Sequence, residues 1–263
     1  MRIADALPRF LLSPTASLLI AARDDGNVER ITGLSPARWR ELARAFPRLG
    51  PDPGPRAARA RLRLEFLAGR ALATHRHAPS WRGPEIQRSP AMYVTAHIGD
   101  LRALRYLLRL RTAAASIIPE VGNRERFERE DTVRDARAVP HGGFPHVFSA
   151  SRPHRLRSAL RTGSLIAAAD RPADREHAAP VLGGLLSLDV RPFRIARIAG
   201  VPVRPLFLTA PRGRLTVTVG ESLPAPLDEA LEGFAKALDL VSEESPWDWD
   251  GVTLCGSLQP HGA

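Results

Sequence analysis

Cysteine and lysine are nearly absent from this chain of 263 residues. Cys255 is the only cysteine and Lys236 the only lysine, so almost all of the basic residues are arginine. A single cysteine excludes an internal disulfide and any metal cluster built from cysteine, and it fits a reducing compartment. A functional site in this chain must therefore use other side chains, such as histidine, carboxylates and arginine.

The sequence also lacks an apolar run long enough to span a bilayer. Its most apolar N-terminal stretch covers residues 10–22 and is interrupted by two serines, a proline and a threonine. A membrane-spanning helix needs about 20 apolar residues, and a secretory signal needs a small-residue cleavage site, which this stretch does not offer. We expect a cytoplasmic protein that is at most peripheral on the inner membrane.

Several motifs of nucleotide-binding proteins and hydrolases are missing. The chain contains no Walker loop, no dinucleotide glycine fingerprint and no Gly-x-Ser-x-Gly elbow. Two histidine pairs, His75 with His77 and His141 with His146, have no partners at the spacing of a metal site. We therefore predict a protein that uses neither a metal nor another cofactor.

The charge is strongly positive and unevenly distributed. The residues after Gly220 hold nine acidic residues and one basic residue, which leaves −8 there and +18 in the rest of a chain of net charge +10. The arginines belong to no recognisable nucleic-acid module and no aromatics are interleaved with them, so nucleic acid is not predicted as a partner. A basic body favours acidic carrier proteins, anionic lipid headgroups or phosphates, and we expect the basic residues around the mouth of the site.

The apolar pattern predicts an α/β fold in a single domain covering residues 1–263. Residues 1–85 are predicted to be helical, with Ser35 and Pro36 starting one helix. Residues 86–250 alternate short apolar runs with amphipathic stretches, and 251–263 form a tail. Such alternation is typical of a mixed, mostly parallel central sheet flanked by helices. Helices are expected at 100–110, 123–136, 153–161 and 191–199, and the last two strands should form a hairpin at one edge.

The most informative segment is a buried strand that ends in histidine and leads into a helix: Met92-Tyr93-Val94-Thr95-Ala96-His97-Ile98-Gly99-Asp100-Leu101-Arg102. This segment resembles the His-x4-Asp/Glu motif of the lysophospholipid acyltransferase-like superfamily, in its branch of lipid A lauroyl and myristoyl acyltransferases. His97 and Gly99 match the motif. The acid position does not, because it is occupied by Arg102.

Further segments resemble the same family in the order in which the family carries them. They are Ile118-Pro119 with Asn123, Arg134, the strand of residues 165–170 that ends in Asp170, Val181-Leu182-Gly183-Gly184, residues 194–208, and Pro246-Trp247-Asp248-Trp249. The resemblance covers about residues 85–250. Trp247 and Trp249 are nevertheless predicted to close a core rather than to bind a ligand.

The resemblance implies an acyltransferase. In the family, a histidine acts as general base on a hydroxyl or amine that attacks an acyl thioester, a role that suits the near-neutral pKa of imidazole. The donor would be an acyl carrier protein or coenzyme A thioester, and the acceptor a lipid or a small specialised metabolite, with a membrane surface as a further partner. The alternative is a catalytically degenerate homologue that binds an acyl chain or an acyl carrier protein.

The predicted catalytic residues are His97, Asp100 and Asp170. Either carboxylate could take the place of the missing acid: Asp100 follows His97 by three residues, and Asp170 ends a strand expected beside it. Asp100 could instead simply cap a helix. The predicted substrate-binding residues are Gly99, Asn123, Arg134 and Arg171. Arg134 could bind a phosphate or an oxyanion, or lie in solvent on a charged helix.

Overall fold

The computed structural model describes residues 25–50, 53–74, 79–118, 147–150, 152–170, 177–250 and 258–260. The described residues between 25 and 74 are mainly helical, as predicted for the N-terminal segment. They comprise α1 (Asp25–Thr32), α2 (Pro36–Ala45), a 3-10 turn (Pro47–Leu49) and α3 (Pro53–Thr74). The Oγ of Ser35 accepts a hydrogen bond from the backbone N–H of Arg38, and Pro36 lies in the first turn of α2. This is the helix start that the sequence predicted.

A seven-stranded sheet forms the centre of the molecule, in the order β1-β9-β8-β2-β5-β3-β4. Its strands are β1 (Ser80–Arg82), β2 (Met92–Thr95), β3 (Ala114–Ile118), β4 (Val147–Ser149), β5 (Ser164–Ala168), β8 (Val203–Thr209) and β9 (Thr216–Val219). Only β8 and β9 pair antiparallel among these neighbours, and the others are parallel. The prediction of a mixed, mostly parallel sheet flanked by helices is confirmed.

One detail of the edge differs from the prediction. The hairpin of β8 and β9 is present, but β9 is not an edge strand, because β1 pairs with it on the outside. The sequence pattern places residues 80–82 in the helical segment, whereas the structure has them as β1. A strand of three residues with a partly exposed pattern carries too little periodicity to be recognised in the sequence.

Helices cover both faces of the sheet because alternate side chains of each strand point to opposite sides. The helices are α4 (Leu101–Arg109), α5 (Pro153–Ala159), α6 (Arg191–Ala199) and α7 (Leu227–Glu244), and 3-10 turns lie at Pro211–Gly213 and Pro246–Asp248. Met92 and Val94 of β2 join the apolar core beneath α5, α6 and α7, whereas Tyr93 joins the core beneath α3 and α4. The helices predicted at 100–110, 153–161 and 191–199 are thus α4, α5 and α6, while 123–136 lies outside the described residues.

A smaller antiparallel sheet lies apart from the central one, in the order β10-β7-β6. Its strands are β6 (Ala178–Val181), β7 (Gly184–Ser187) and β10 (Leu258–Pro260). Leu182 and Gly183 form the turn of the β6–β7 hairpin, both with positive φ. Of the helices described, none combines the length and the apolar character needed to cross a membrane.

Candidate functional site

His97 and Asp170 leave neighbouring parallel strands at the same edge of the sheet. In the register of β2 and β5, Thr95 lies opposite Ala168, and each of the two residues of interest follows its strand by two positions. Parallel neighbours bring their carboxyl ends together, which is where α/β folds place ligands. Strand pairing alone therefore brings the imidazole and the carboxylate side by side, although 73 residues separate them.

The carboxylate of Asp170 holds both the ring and the backbone of His97. Its Oδ1 lies 2.7 Å from the ring Nδ1, and its Oδ2 accepts the backbone N–H of His97 at 2.6 Å. The Asp170 side chain is fully buried, whereas the His97 side chain is 22% exposed. When this carboxylate is ionised it only accepts hydrogen bonds, and Nδ1 then carries the proton. Nε2 has no hydrogen-bond partner in the described part of the chain, so the neutral ring offers a free lone pair there.

The carboxylate of Asp100 caps the helix that follows it. Its Oδ1 accepts the backbone N–H groups of Arg102 and Ala103 at 2.9 and 3.0 Å, so Asp100 is the N-cap of α4. No hydrogen bond joins it to His97 among the described residues. Arg102 lies half-buried in the first turn of α4. The catalytic role predicted for Asp100 stays a prediction, but in this structure its carboxylate supports the helix.

Gly99 allows the His97 loop to turn tightly against β8. Its φ is +79°, and a Cβ atom at this position would lie 1.5 Å from the backbone oxygen of Leu208. Its backbone N–H donates to the backbone oxygen of Asp248 at 2.7 Å. Glycine is required here for the close approach of two backbones. The N–H that a substrate oxygen could use is already bound, and the substrate-binding role of Gly99 remains untested.

The C-terminal tryptophan segment pairs with the His97 loop, a contact that the sequence does not predict. Ile98 and Trp249 form an antiparallel bridge, and the backbone N–H of Asp250 donates to the backbone oxygen of His97 at 2.8 Å. Trp249 is buried, and its Nε1–H donates to Ser242 of α7, which agrees with the predicted core role. Trp247 lies under the guanidinium of Arg56. The segment thus fixes the position of the loop through its backbone.

Asp248 is a second buried carboxyl group close to the loop. Its Oδ2 accepts the backbone N–H of Ala210 at 2.7 Å, just beyond the end of β8. Burial raises the pKa of Asp248 from 3.8 to about 6, although the hydrogen bonds from Ala210 and Ser245 and the nearby Arg63 oppose the shift. The available signal in the sequence was an acid between two tryptophans, which is unusual in a segment that closes a core.

An ordered ion pair also lies next to Asp170. The backbone N–H of Asp189 donates to the backbone oxygen of Ala169. The Asp189 carboxylate binds the Arg191 guanidinium through two atoms, with Nε and Nη2 at 2.8 and 2.6 Å, and accepts the backbone N–H of Arg191. This pair at the start of α6 is not among the residues predicted from the sequence, although an Asp two residues before a helical Arg-Pro is a helix-start pattern.

Three of the predicted substrate-binding residues cannot be placed. Asn123, Arg134 and Arg171 lie outside the described residues, as do the two histidine pairs. Within the described ranges, no three side chains of His, Cys, Asp or Glu lie together in a group that could hold a metal ion. The described site therefore consists of His97, Asp170, the glycine turn and the tryptophan segment.

The chain matches no family model and no curated protein. Its structure is similar to that of the 1-acyl-sn-glycerophosphate (LPA) acyltransferase PlsC from Thermotoga maritima. The sequence identity is 13% and the TM-score 0.43, with 90% of this chain and 99% of that chain covered.

Proposed function

We propose that the chain is an acyltransferase of the lysophospholipid acyltransferase-like superfamily in which Asp170 takes the place of the acid missing at Arg102. The observation that carries this proposal is the contact of 2.7 Å between Oδ1 of the fully buried Asp170 and Nδ1 of the partly exposed His97. A buried carboxylate on Nδ1 and an open Nε2 form the arrangement in which a histidine works as a general base.

In the proposed reaction, a hydroxyl or amine of the acceptor gives its proton to Nε2 of His97 and attacks the carbonyl carbon of an acyl thioester. A carbon–oxygen or carbon–nitrogen bond forms and the carbon–sulfur bond breaks. The departing thiolate then takes the proton from the imidazolium, so the histidine returns to its neutral state. Asp170 stabilises the imidazolium in between and holds the ring in the productive tautomer.

Arg102 cannot fulfil the role of the family acid, since a guanidinium only donates hydrogen bonds and disfavours a neighbouring imidazolium. Asp100 is occupied by the N–H groups of Arg102 and Ala103. Asp170 accepts from both the ring and the backbone N–H of His97. We therefore assign the supporting role to Asp170 and a structural role to Asp100.

The donor in this proposal is an acyl carrier protein or coenzyme A thioester, and the acceptor is a hydroxyl or amine of a lipid or a specialised metabolite. Asn123, Arg134 and Arg171 would bind the donor or acceptor, and Arg134 falls where the family carries its functional arginine. Guanidinium groups suit phosphate groups, which occur in both thioester donors and in many lipid acceptors.

The test is a transfer assay with the full chain, a panel of acyl thioesters and a cell extract as the source of acceptors. Released thiol and the mass of the acylated product would be measured for the parent, for His97→Ala and for His154→Ala, which removes an exposed histidine of α5. Catalysis by His97 predicts transfer in the parent and the control only. Parental turnover in His97→Ala would refute the mechanism.

The same experiment addresses the alternative of a catalytically degenerate homologue. That alternative predicts no transfer from any thioester by the parent, together with retention of an acyl chain or of an acyl carrier protein. Native mass spectrometry of the parent after incubation with the thioester panel detects such retention. Bound donor without product would favour a binding protein over an enzyme.

A further inference from the structure

Helices α5 and α6 pack against each other on one face of the central sheet and present arginine to solvent. We call their exposed arginines the arginine surface. It comprises Arg152, Arg155, Arg157, Arg161, Arg194 and Arg197. The first four belong to α5 or flank it, and the last two belong to α6. Together they concentrate six positive charges on two neighbouring helices.

None of these six arginines has an ion-pair partner in the part of the chain that the structure describes. Residues 152–162 and 190–200 contain no aspartate or glutamate. Some exposed arginines elsewhere are paired with acidic residues of α7: Arg48 with Asp239 and Glu243, and Arg82 with Glu244. Like charges at helical spacing, such as Arg194 and Arg197 of α6, repel each other, so a counter-charge from outside would relieve the repulsion.

Ile198 adds an apolar contact to the same surface. It follows Arg197 on α6, and 61% of its surface is exposed, the largest exposed fraction among the large apolar residues described. Single exposed apolar residues are common and need no explanation by themselves. An exposed isoleucine next to Arg197 and one helical turn after Arg194, however, is the combination that interfacial helices use to bind an anionic membrane.

We propose that the arginine surface, with Ile198, binds the surface of an anionic lipid bilayer. Guanidinium groups bind phosphate oxygens through two hydrogen bonds, and clustered basic residues are drawn to anionic lipids. Ile198 would insert at the boundary between headgroups and acyl chains. This inference concerns a surface and does not depend on the catalytic assignment of His97.

The surface begins next to the His97–Asp170 pair. α6 starts at Arg191, two residues after Asp189, whose backbone N–H binds the oxygen of Ala169 beside Asp170. α5 and α6 each lead into a strand that runs toward the His97 edge, so both helices begin near that edge. A bilayer bound to the arginine surface would therefore lie close to the edge of the sheet that carries His97.

The test measures vesicle binding by co-sedimentation of the full chain. One set of vesicles contains phosphatidylcholine alone, and the other contains in addition about 30% phosphatidylglycerol. Binding is expected only to the anionic vesicles and should weaken between about 0.1 M and 1 M salt. Substitution of Arg155, Arg157, Arg194 and Arg197 by glutamine is expected to weaken binding by about a hundredfold or more. Ile198→Ser should weaken it by about fivefold to tenfold.

The matched control substitutes four exposed arginines elsewhere, Arg40, Arg44, Arg88 and Arg214, by glutamine. It removes the same net charge and should bind within a fewfold of the parent. Circular dichroism checks that each variant is folded. Equal losses in both variants would show that net charge alone drives binding and would overturn the proposal. So would absence of vesicle binding, or capture of a small acidic carrier protein instead of vesicles. Because no acyl transfer is measured, the outcome is separate from that of the proposed activity.

Discussion

Two segments hold the His97 loop, and they do so by different means. The end of β5 uses a side chain, the Asp170 carboxylate, which contacts the ring and the backbone of His97. The C-terminal segment of residues 246–250 uses its backbone, through Gly99 to Asp248, Ile98 to Trp249 and His97 to Asp250. A contact to the ring acts on protonation, whereas contacts to the backbone act on position. Substitutions in the two segments should therefore change different measured quantities.

The largest effect is expected from the side chain on the ring. In Asp170→Asn, the amide can donate a hydrogen bond to Nδ1 and so stabilise the wrong tautomer, as in serine-hydrolase triads. If the proposed reaction is correct, turnover should fall by about 10²- to 10⁴-fold, with far-UV circular dichroism unchanged. Arg102→Ala is the control and should lower turnover much less. Parental turnover in Asp170→Asn would show that the histidine works without this carboxylate or is not the base.

The backbone contacts predict a large effect on stability. Gly99→Ala places a Cβ against the Leu208 backbone oxygen, at a φ that alanine rarely adopts. We expect the free energy of unfolding to fall by about 3 kcal/mol or more in urea denaturation. Gly69→Ala is the control, since Gly69 lies within α3 and has open space around its Cβ position. It should raise the stability by up to about 1 kcal/mol. Equal outcomes for the two would contradict the close approach of the loop to β8.

The buried carboxyl of the C-terminal segment predicts a dependence of stability on pH. Because the folded pKa of Asp248 is about 6 and its ordinary value 3.8, the folded state binds the proton more tightly. The stability that this tighter proton binding adds is fully present below about pH 4 and is lost as the pH rises through 6. The loss in the free energy of unfolding is up to about 3 kcal/mol in total. Asp248→Asn should remove that loss.

The measurement for Asp248 compares urea denaturation of the parent and the variant at several values between about pH 4 and pH 7. As the pH rises, the free energy of unfolding of Asp248→Asn should increase relative to that of the parent. Glu232→Gln, at an exposed site of α7, provides the control and should follow the parent. A constant difference between the parent and Asp248→Asn would mean that the carboxyl keeps its ordinary pKa in the folded chain.

The smallest effect is expected from the N-cap of α4. Asp100→Ala removes the acceptor for the N–H groups of Arg102 and Ala103 and should lower the stability by about 1 kcal/mol. Asp100→Asn should preserve most of the cap, and both variants should keep turnover within about tenfold of the parent. If Asp100→Asn reduced turnover as much as Asp170→Asn, the contrast between the capping and the supporting carboxylate would be lost.

Local patterns were sufficient for much of the fold. The Ser35-Pro36 helix start, the helices α4 to α6 and the alternation that produces a mostly parallel sheet all follow from hydrogen bonding and apolar periodicity within a few residues. The three-residue strand β1 was not predicted, because its place in the sheet depends on pairing with β9, which lies more than 130 residues further along the chain.

The sequence by itself determined the residue types of the site: a histidine and a glycine after β2, and an aspartate after β5. It left the choice between Asp100 and Asp170 open, because spacing along the chain cannot say which carboxylate meets the ring. Only the tertiary structure decided this, by the parallel pairing of β2 with β5 that brings Asp170 to His97. The tertiary structure also brings the C-terminal segment against the His97 loop through backbone hydrogen bonds. Almost any residue can make such bonds, so the sequence does not show them.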